Sequence, residues 1–196
     1  MYAPISGNAD DEYVELFNRG SNSVEVDGWR LGGGISFNFA SNTTLAAGGY
    51  LVVAKNSARL MTNYTGLTPA NTLGNFSGKL SGSGDRITVE MPASAGTSQV
   101  FVVVNEVAYG TGGRWGDWSD GGGSSLELTD PWSNNRLADN WADSGETAKS
   151  QWATVEYTGP IGETNGPAND NLHIYLLGLG EALVDEVEVR NDGGVN

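Results

Sequence analysis

Residues 12–31 read EYVELFNRGSNSVEVDGWRL, and this stretch decides the fold class. Tyr13, Glu15 and Phe17 alternate with Val14 and Leu16, the period of two that gives a strand two distinct faces. Asn18-Arg19-Gly20-Ser21-Asn22 supplies turn residues, and Val24, Val26 and Trp29 then resume the apolar spacing. A strand, a polar turn and a returning strand ending in Gly-Trp are the local grammar of an antiparallel β protein.

The rest of the chain follows the same grammar. Its 196 residues fit one domain of ordinary size plus a small appendage, and 38% hydrophobic residues can bury a core without metals or disulfides. The apolar runs are short and are broken by Gly, Ser, Asn and Asp, with Gly alone at 29 positions; many turns are implied. No apolar run approaches the roughly 18 residues needed to cross a bilayer. Met1 is followed at once by polar sequence, so no signal peptide is visible, and an exported protein would carry its signal outside this chain. The formal charge of −14 argues against a nucleic-acid groove, which needs clustered Lys and Arg. Here the ten cations are scattered. Acidity of this kind serves solubility, with calcium sites or a halophilic habitat as the other readings. With no Cys there is no disulfide framework, thiolate nucleophile or Cys-based zinc site.

Along the chain, Gly32-Gly33-Gly34 punctuates a hairpin, and Ile35, Phe37 and Phe39 alternate as a further strand. Residues 43–54, TTLAAGGYLVVA, place Gly48-Gly49, which tolerate positive φ, before a strand over residues 50–54 that should be buried on both faces. Residues 56–61 form one short helical turn, and residues 62–83 read as loops with a brief strand near Leu80. Residues 84–91, GDRITVEM, and residues 100–109, VFVVVNEVAY, are strands, followed by a Gly- and Trp-rich turn to Gly123 and by SSLELTDP at residues 124–131.

In this order, these segments resemble the lamin tail domain. The matching passages are residues 12–31, residues 43–54 (with Ala47 where Pro is commoner), Gly84-Asp85 and its strand, Glu106-Val107 with Tyr109, and residues 124–131, continued by Asn134-Asn135, Asn140-Trp141 and Ser144. Met1-Tyr2-Ala3-Pro4 resembles the end of that family's first strand, which implies that a few residues of it are missing. The resemblance runs over residues 1–155. It implies an all-β, immunoglobulin-like β-sandwich over residues 1–159 and puts Trp29 and Trp141 in the framework. Lamin tail domains are partner-binding modules, and bacterial ones are commonly joined to exported enzymes or surface proteins. Residues 160–171 then read as a linker, and residues 172–196 as a C-terminal β-hairpin, packed on the sandwich or forming the edge of a truncated neighbouring domain. Its EALVDEVEV resembles a strand of carbohydrate-binding jelly rolls.

No catalytic signature is present. His173, the single histidine, alternates along LHIYLL without a second His or Cys to face. No Gly-x-Ser-x-Gly elbow and no Walker loop occurs. Glu15, Glu106 and Glu127 sit within strands with no sign of a cleft, and the resemblance implies a structural role for Glu15, a buried carboxylate pinning a turn by accepting backbone N–H bonds. No enzyme is expected. Two binding sites are candidates. Hard oxygen ligands for calcium gather near Asp10 and Asp11 and near Asp117 and Asp120, without the full spacing of a twelve-residue calcium loop. Trp115 and Trp118, in a Gly- and Asp-rich loop, are the expected exposed pair, a platform for a glycan face. These features lead to a non-catalytic interaction or adhesion module of a larger secreted or cell-surface protein, binding a protein or glycan through sandwich-end loops. The alternative is a structural subunit of an extracellular fibre or surface layer, self-assembled by strand exchange.

Overall fold

A computed structural model describes residues 1–145, 153–159, 174–175 and 184–190. The chain divides into two compact units, Met1–Ser144 and Gly145–Asn196. The first carries the strands β1 (Tyr13–Phe17), β2 (Val24–Glu25), β3 (Arg30–Gly33), β4 (Ile35–Asn38), β5 (Thr44–Leu45) and β6 (Tyr50–Ala54). The helix α1 (Ser57–Asn63) follows, then β7 (Thr72–Gly74), β8 (Ser77–Gly78), β9 (Asp85–Ala95), β10 (Ser98–Tyr109), β11 (Leu126–Leu128) and β12 (Trp141–Asp143).

A three-stranded sheet in the order β1-β6-β7 faces a five-stranded sheet in the order β10-β9-β3-β4-β8, and two-stranded pairs β2-β5 and β11-β12 complete the unit. Val14 and Leu16 of β1 and Leu51 and Val53 of β6 point into the same apolar cluster as Leu31, Ile35 and Ile87 of the larger sheet. This is the immunoglobulin-like sandwich that the resemblance implies, built on strands whose alternation marks their inner faces. The turn after β1 is held by Asn18, whose amide donates to the carbonyls of Asn22 and Leu45 at 2.9 and 3.0 Å and whose Oδ1 accepts from Gly20 N. That is why a polar residue is buried at the end of an apolar strand.

β6 is covered on both faces, as its sequence implies. Its inner residues meet the main core, while Val52 and Ala54 pack on the other side with Leu60 of α1. The helical turn anticipated at residues 56–61 is the start of α1, capped by Asn56, whose side chain accepts from Arg59 N. β7 lies in a stretch expected to be loop, and β8 ends two residues before Leu80, where a brief strand is expected. They are short and polar and take their place by pairing, β7 parallel to β6 and β8 antiparallel to β4. Leu80 lies in no strand, although it is buried. Ala3 makes an isolated parallel bridge to Asp120.

The first unit ends at Ser144, where β12 is its last strand and the Ser144 hydroxyl accepts from Ser125 N at 2.9 Å. In the second unit the described residues 153–159, 174–175 and 184–190 carry no strand pairing. The expected linker, His173 and the remainder of the expected hairpin lie outside the described residues. Among the described residues no helix is long and apolar enough to cross a membrane.

Candidate functional site

The Gly- and Trp-rich segment after β10 is a clamped turn. Asp143, at the end of β12, accepts from Trp118 N at 3.1 Å and from Ser119 N at 2.6 Å, one bond to each carboxylate oxygen. Ser119 is 1% exposed and donates its hydroxyl to the Gly116 carbonyl. Gly116 leaves room for that carboxylate, since a Cβ there would stand 2.2 Å from Asp143 Oδ1. The indole of Trp118 emerges from this turn 58% exposed. It leans on Gly122, where a Cβ would come within 2.8 Å of Trp118 Cε3. A large, flat, two-torsion side chain on a fixed backbone loses little freedom on binding, which suits it to anchor a partner.

Trp115 does not share that exposure. It packs on the rim of the main core, against Gly110 and with its ring 6.4 Å from that of Trp141. The expected exposed pair is therefore a single ring, because Gly110 lets the Trp115 indole fold back over the chain. Trp29 is likewise packed against the core. Trp141 is half-buried and donates Nε1–H to the Asn135 carbonyl at 2.9 Å.

Other exposed aromatics had no local signal. Trp132 is 70% exposed, and the Arg19 guanidinium lies 5.5 Å from its ring centroid while donating to Pro131 O. Phe17 and Tyr50, cross-strand partners on β1 and β6, stack at 4.6 Å on the outer face of the small sheet. The Asp130 carboxylate accepting from Trp132 N is the turn chemistry that holds Trp132 outward.

Two of the four acidic candidates have side-chain partners within the chain. Asp11 is buried and directs both carboxylate oxygens at Arg59, at 2.7 and 2.8 Å, with Ser6 and Asn63 adding further bonds. The Arg59 bond, ahead of burial that opposes it, holds its carboxyl below the usual range. Asp10 accepts from Asn56 at 3.3 Å, and Asp117 and Asp120 are exposed on the clamped turn. Among the described residues no group of three or more His, Cys, Asp or Glu side chains converges.

The carboxylate that pins a turn is Glu12 and not Glu15. Glu12 is 3% exposed and accepts from Leu80 N at 2.8 Å. Burial pushes its carboxyl up, against the pull of that N–H. Glu15 is exposed on β1. Glu106 takes ion pairs from Arg86 and from Arg136, the latter at 2.8 Å, and Glu127 accepts from the Ser125 hydroxyl at 2.7 Å. An open depression of about 370 Å³ lies beside α1, lined by Phe37, Met61, Pro69 and Leu73 among others, and no ionisable side chain borders it. Its hydroxyls, on Thr43, Ser57 and Thr72, have no acid or base beside them in that lining.

Comparison with curated proteins finds no match. The family model of the lamin tail domain matches residues 1–189 of the 196, further along the chain than the sequence segments that suggested it. Lamin tail domains are immunoglobulin-like and non-enzymatic. The chain belongs to the lamin tail domain family.

Proposed function

We propose that this domain is a non-catalytic interaction module, part of a larger secreted or cell-surface protein, that binds a protein or glycan partner through its loops with Trp118 as the anchor. The supporting observation is the exposed indole on a turn fixed by Asp143. Three hydrogen bonds hold the turn in place before binding, so ordering it costs little. A secreted or surface setting rests on fold-level analogy with bacterial lamin tails. The test is a glycan array followed by calorimetry on the hits, with a panel of cell-surface proteins in parallel. Trp118→Ala should weaken binding by tenfold or more, on the order of a buried aromatic anchor. Asp143→Asn should weaken it less, through loosening of the turn. Affinity unchanged in Trp118→Ala would sink the proposal, as would turnover of any glycan or ester by the native chain.

The alternative, a self-assembling structural subunit, is favoured by one separate observation: an unguarded sheet edge.

A further inference from the structure

We infer that the outer edge of β10 is a self-association surface, pairing antiparallel with the same strand of a second copy. β9 pairs with β3 only from Ile87 to Glu90, so beyond Glu90 the strands β9 and β10 run on together as a two-stranded arm. β10 is the terminal strand of its sheet. Val100, Val102, Val103 and Val104 on it are 39, 46, 40 and 49% exposed. Among the described residues the outward main-chain groups of residues 98–104 have no partner. An open row of N–H and C=O groups flanked by β-branched side chains is a template for another strand.

The two edges of the arm are not equivalent. The β9 edge carries Pro92, which has no N–H to offer. The β10 edge carries neither Pro nor Lys, the residues that commonly blunt such edges. Its one irregularity, a bulge between Val103 and Asn105, limits pairing to the straight part, residues 98–103.

Charge selects a second copy as the occupant. The chain carries −14 in total, yet residues 91–105, MPASAGTSQVFVVVN, hold no charge at all. The nearest cation, Arg30, is neutralised by Glu90 at 2.6 Å and lies 3.7 Å from the Phe101 ring centroid. A foreign strand would find no ion here to recognise. Two copies can meet at this stretch without bringing acids together. Antiparallel pairing of identical strands requires the two-fold axis to pass through a residue, since opposed residues share one hydrogen-bonding class. With the axis at Val100, Phe101 or Val102, the two Glu106 residues stand at least eight positions apart, about 27 Å at roughly 3.4 Å per residue. That exceeds the screening length of about 8 Å at physiological salt.

The test is sedimentation velocity on the full chain between about 5 and 500 μM, a range that brackets a weak dimer, together with amide exchange at those N–H groups of residues 98–103 that face away from β9. The native chain should shift from monomer to dimer with concentration, and those amides should slow in parallel. Val102→Lys should raise the dissociation constant at least tenfold with unchanged circular dichroism, although the added cation lowers overall repulsion. Val155→Lys, in the second unit, should leave the dimer intact, and so should Trp118→Ala, because this surface owes nothing to the binding reading above. A monomer throughout the range overturns the inference. So does a dimer indifferent to Val102→Lys, or protection of these amides only when an uncharged extended peptide is added, which would give the edge to a foreign strand.

Discussion

Two adjacent acids, Asp11 and Glu12, set opposite pH responses. Asp11 titrates below its unfolded value, near 3.9, because Arg59 holds the ionised form. Its contribution is therefore complete above that value and is lost as pH falls through the lower folded one. Glu12 titrates above its ordinary range because of burial, so acidification from neutrality relieves it first and adds stability. Burial pulls the Met1 ammonium down to about 5, so it too loses stability on acidification, while Glu15 is raised and Glu90 lowered. Asp11 and Glu12 are therefore read as differences from the native chain in urea unfolding between pH 7 and pH 2.5. Asp11→Asn should shrink the loss at low pH and cost about 1–2 kcal/mol at pH 7, discounted because Arg59 is 40% exposed. Glu12→Gln, which keeps an acceptor for Leu80 N, should remove the gain that protonating Glu12 brings below neutrality. Tyrosine hydroxyls give a second contrast at this scale. Tyr109 donates to the Ser81 carbonyl at 2.9 Å, so Tyr109→Phe should cost about 1 kcal/mol. The neighbouring Tyr2 hydroxyl is buried without a hydrogen bond, so Tyr2→Phe should be neutral or stabilising in the same melt. None of this was legible in the sequence. Glu12 and Glu15 both lie in EYVE, and only the approach of Leu80, far along the chain, tells the buried acid from the exposed one.

Elements were far more legible, for a local reason. The alternation in residues 13–17 and 50–54 fixes which face is inward without knowledge of the partner strand. Turn glycines were visible as turns, but their severity was not. Gly33 has φ +96°, and a Cβ on it would lie 1.8 Å from the Arg86 carbonyl oxygen of the adjoining β9. Gly48, before β6, has φ +62° with nothing within 4 Å. Gly33→Ala should cost about 3 kcal/mol or more, from strain and backbone clash together. Gly48→Ala should cost about 1 kcal/mol, from left-handed backbone strain alone. Chemical denaturation of the two variants should separate them, and equal losses would mean that the β3–β9 approach is looser than 1.8 Å implies. β7 escaped the sequence because its stability comes from pairing with β6 rather than from its own apolar content. Asp143 escaped for the same kind of reason. It fixes Trp118 across 25 positions, and nothing local to either residue marks the pair.

At the scale of the whole molecule the governing quantity is charge. Twenty-four acids face ten cations, and the ion pairs of the first unit, Arg30–Glu90, Arg59–Asp11, Arg86–Glu106, Arg114–Asp139 and Arg136–Glu106, all have arginines 40% exposed or more. Pairs of that exposure contribute about 0–1 kcal/mol each. The unpaired excess of acid repels itself over a screening length of about 30 Å at 0.01 M salt but only about 3 Å at 1 M, and that repulsion destabilises the compact state. Salt therefore weakens two opposed terms, a handful of exposed attractions and a field spread over the whole surface. The field involves more charges and reaches farther, so it should dominate. Melting temperature should rise by several degrees between 10 and 500 mM NaCl, at roughly 2–4 °C per kcal/mol for a chain of this size. A melting temperature that falls with salt would show that the five pairs outweigh the net charge. The same screening should strengthen β10 pairing, since residues 91–105 carry no charge to lose while the repulsion between copies fades. Stability and dimerisation should therefore climb together with ionic strength, whereas an interface built on ion pairs would separate them.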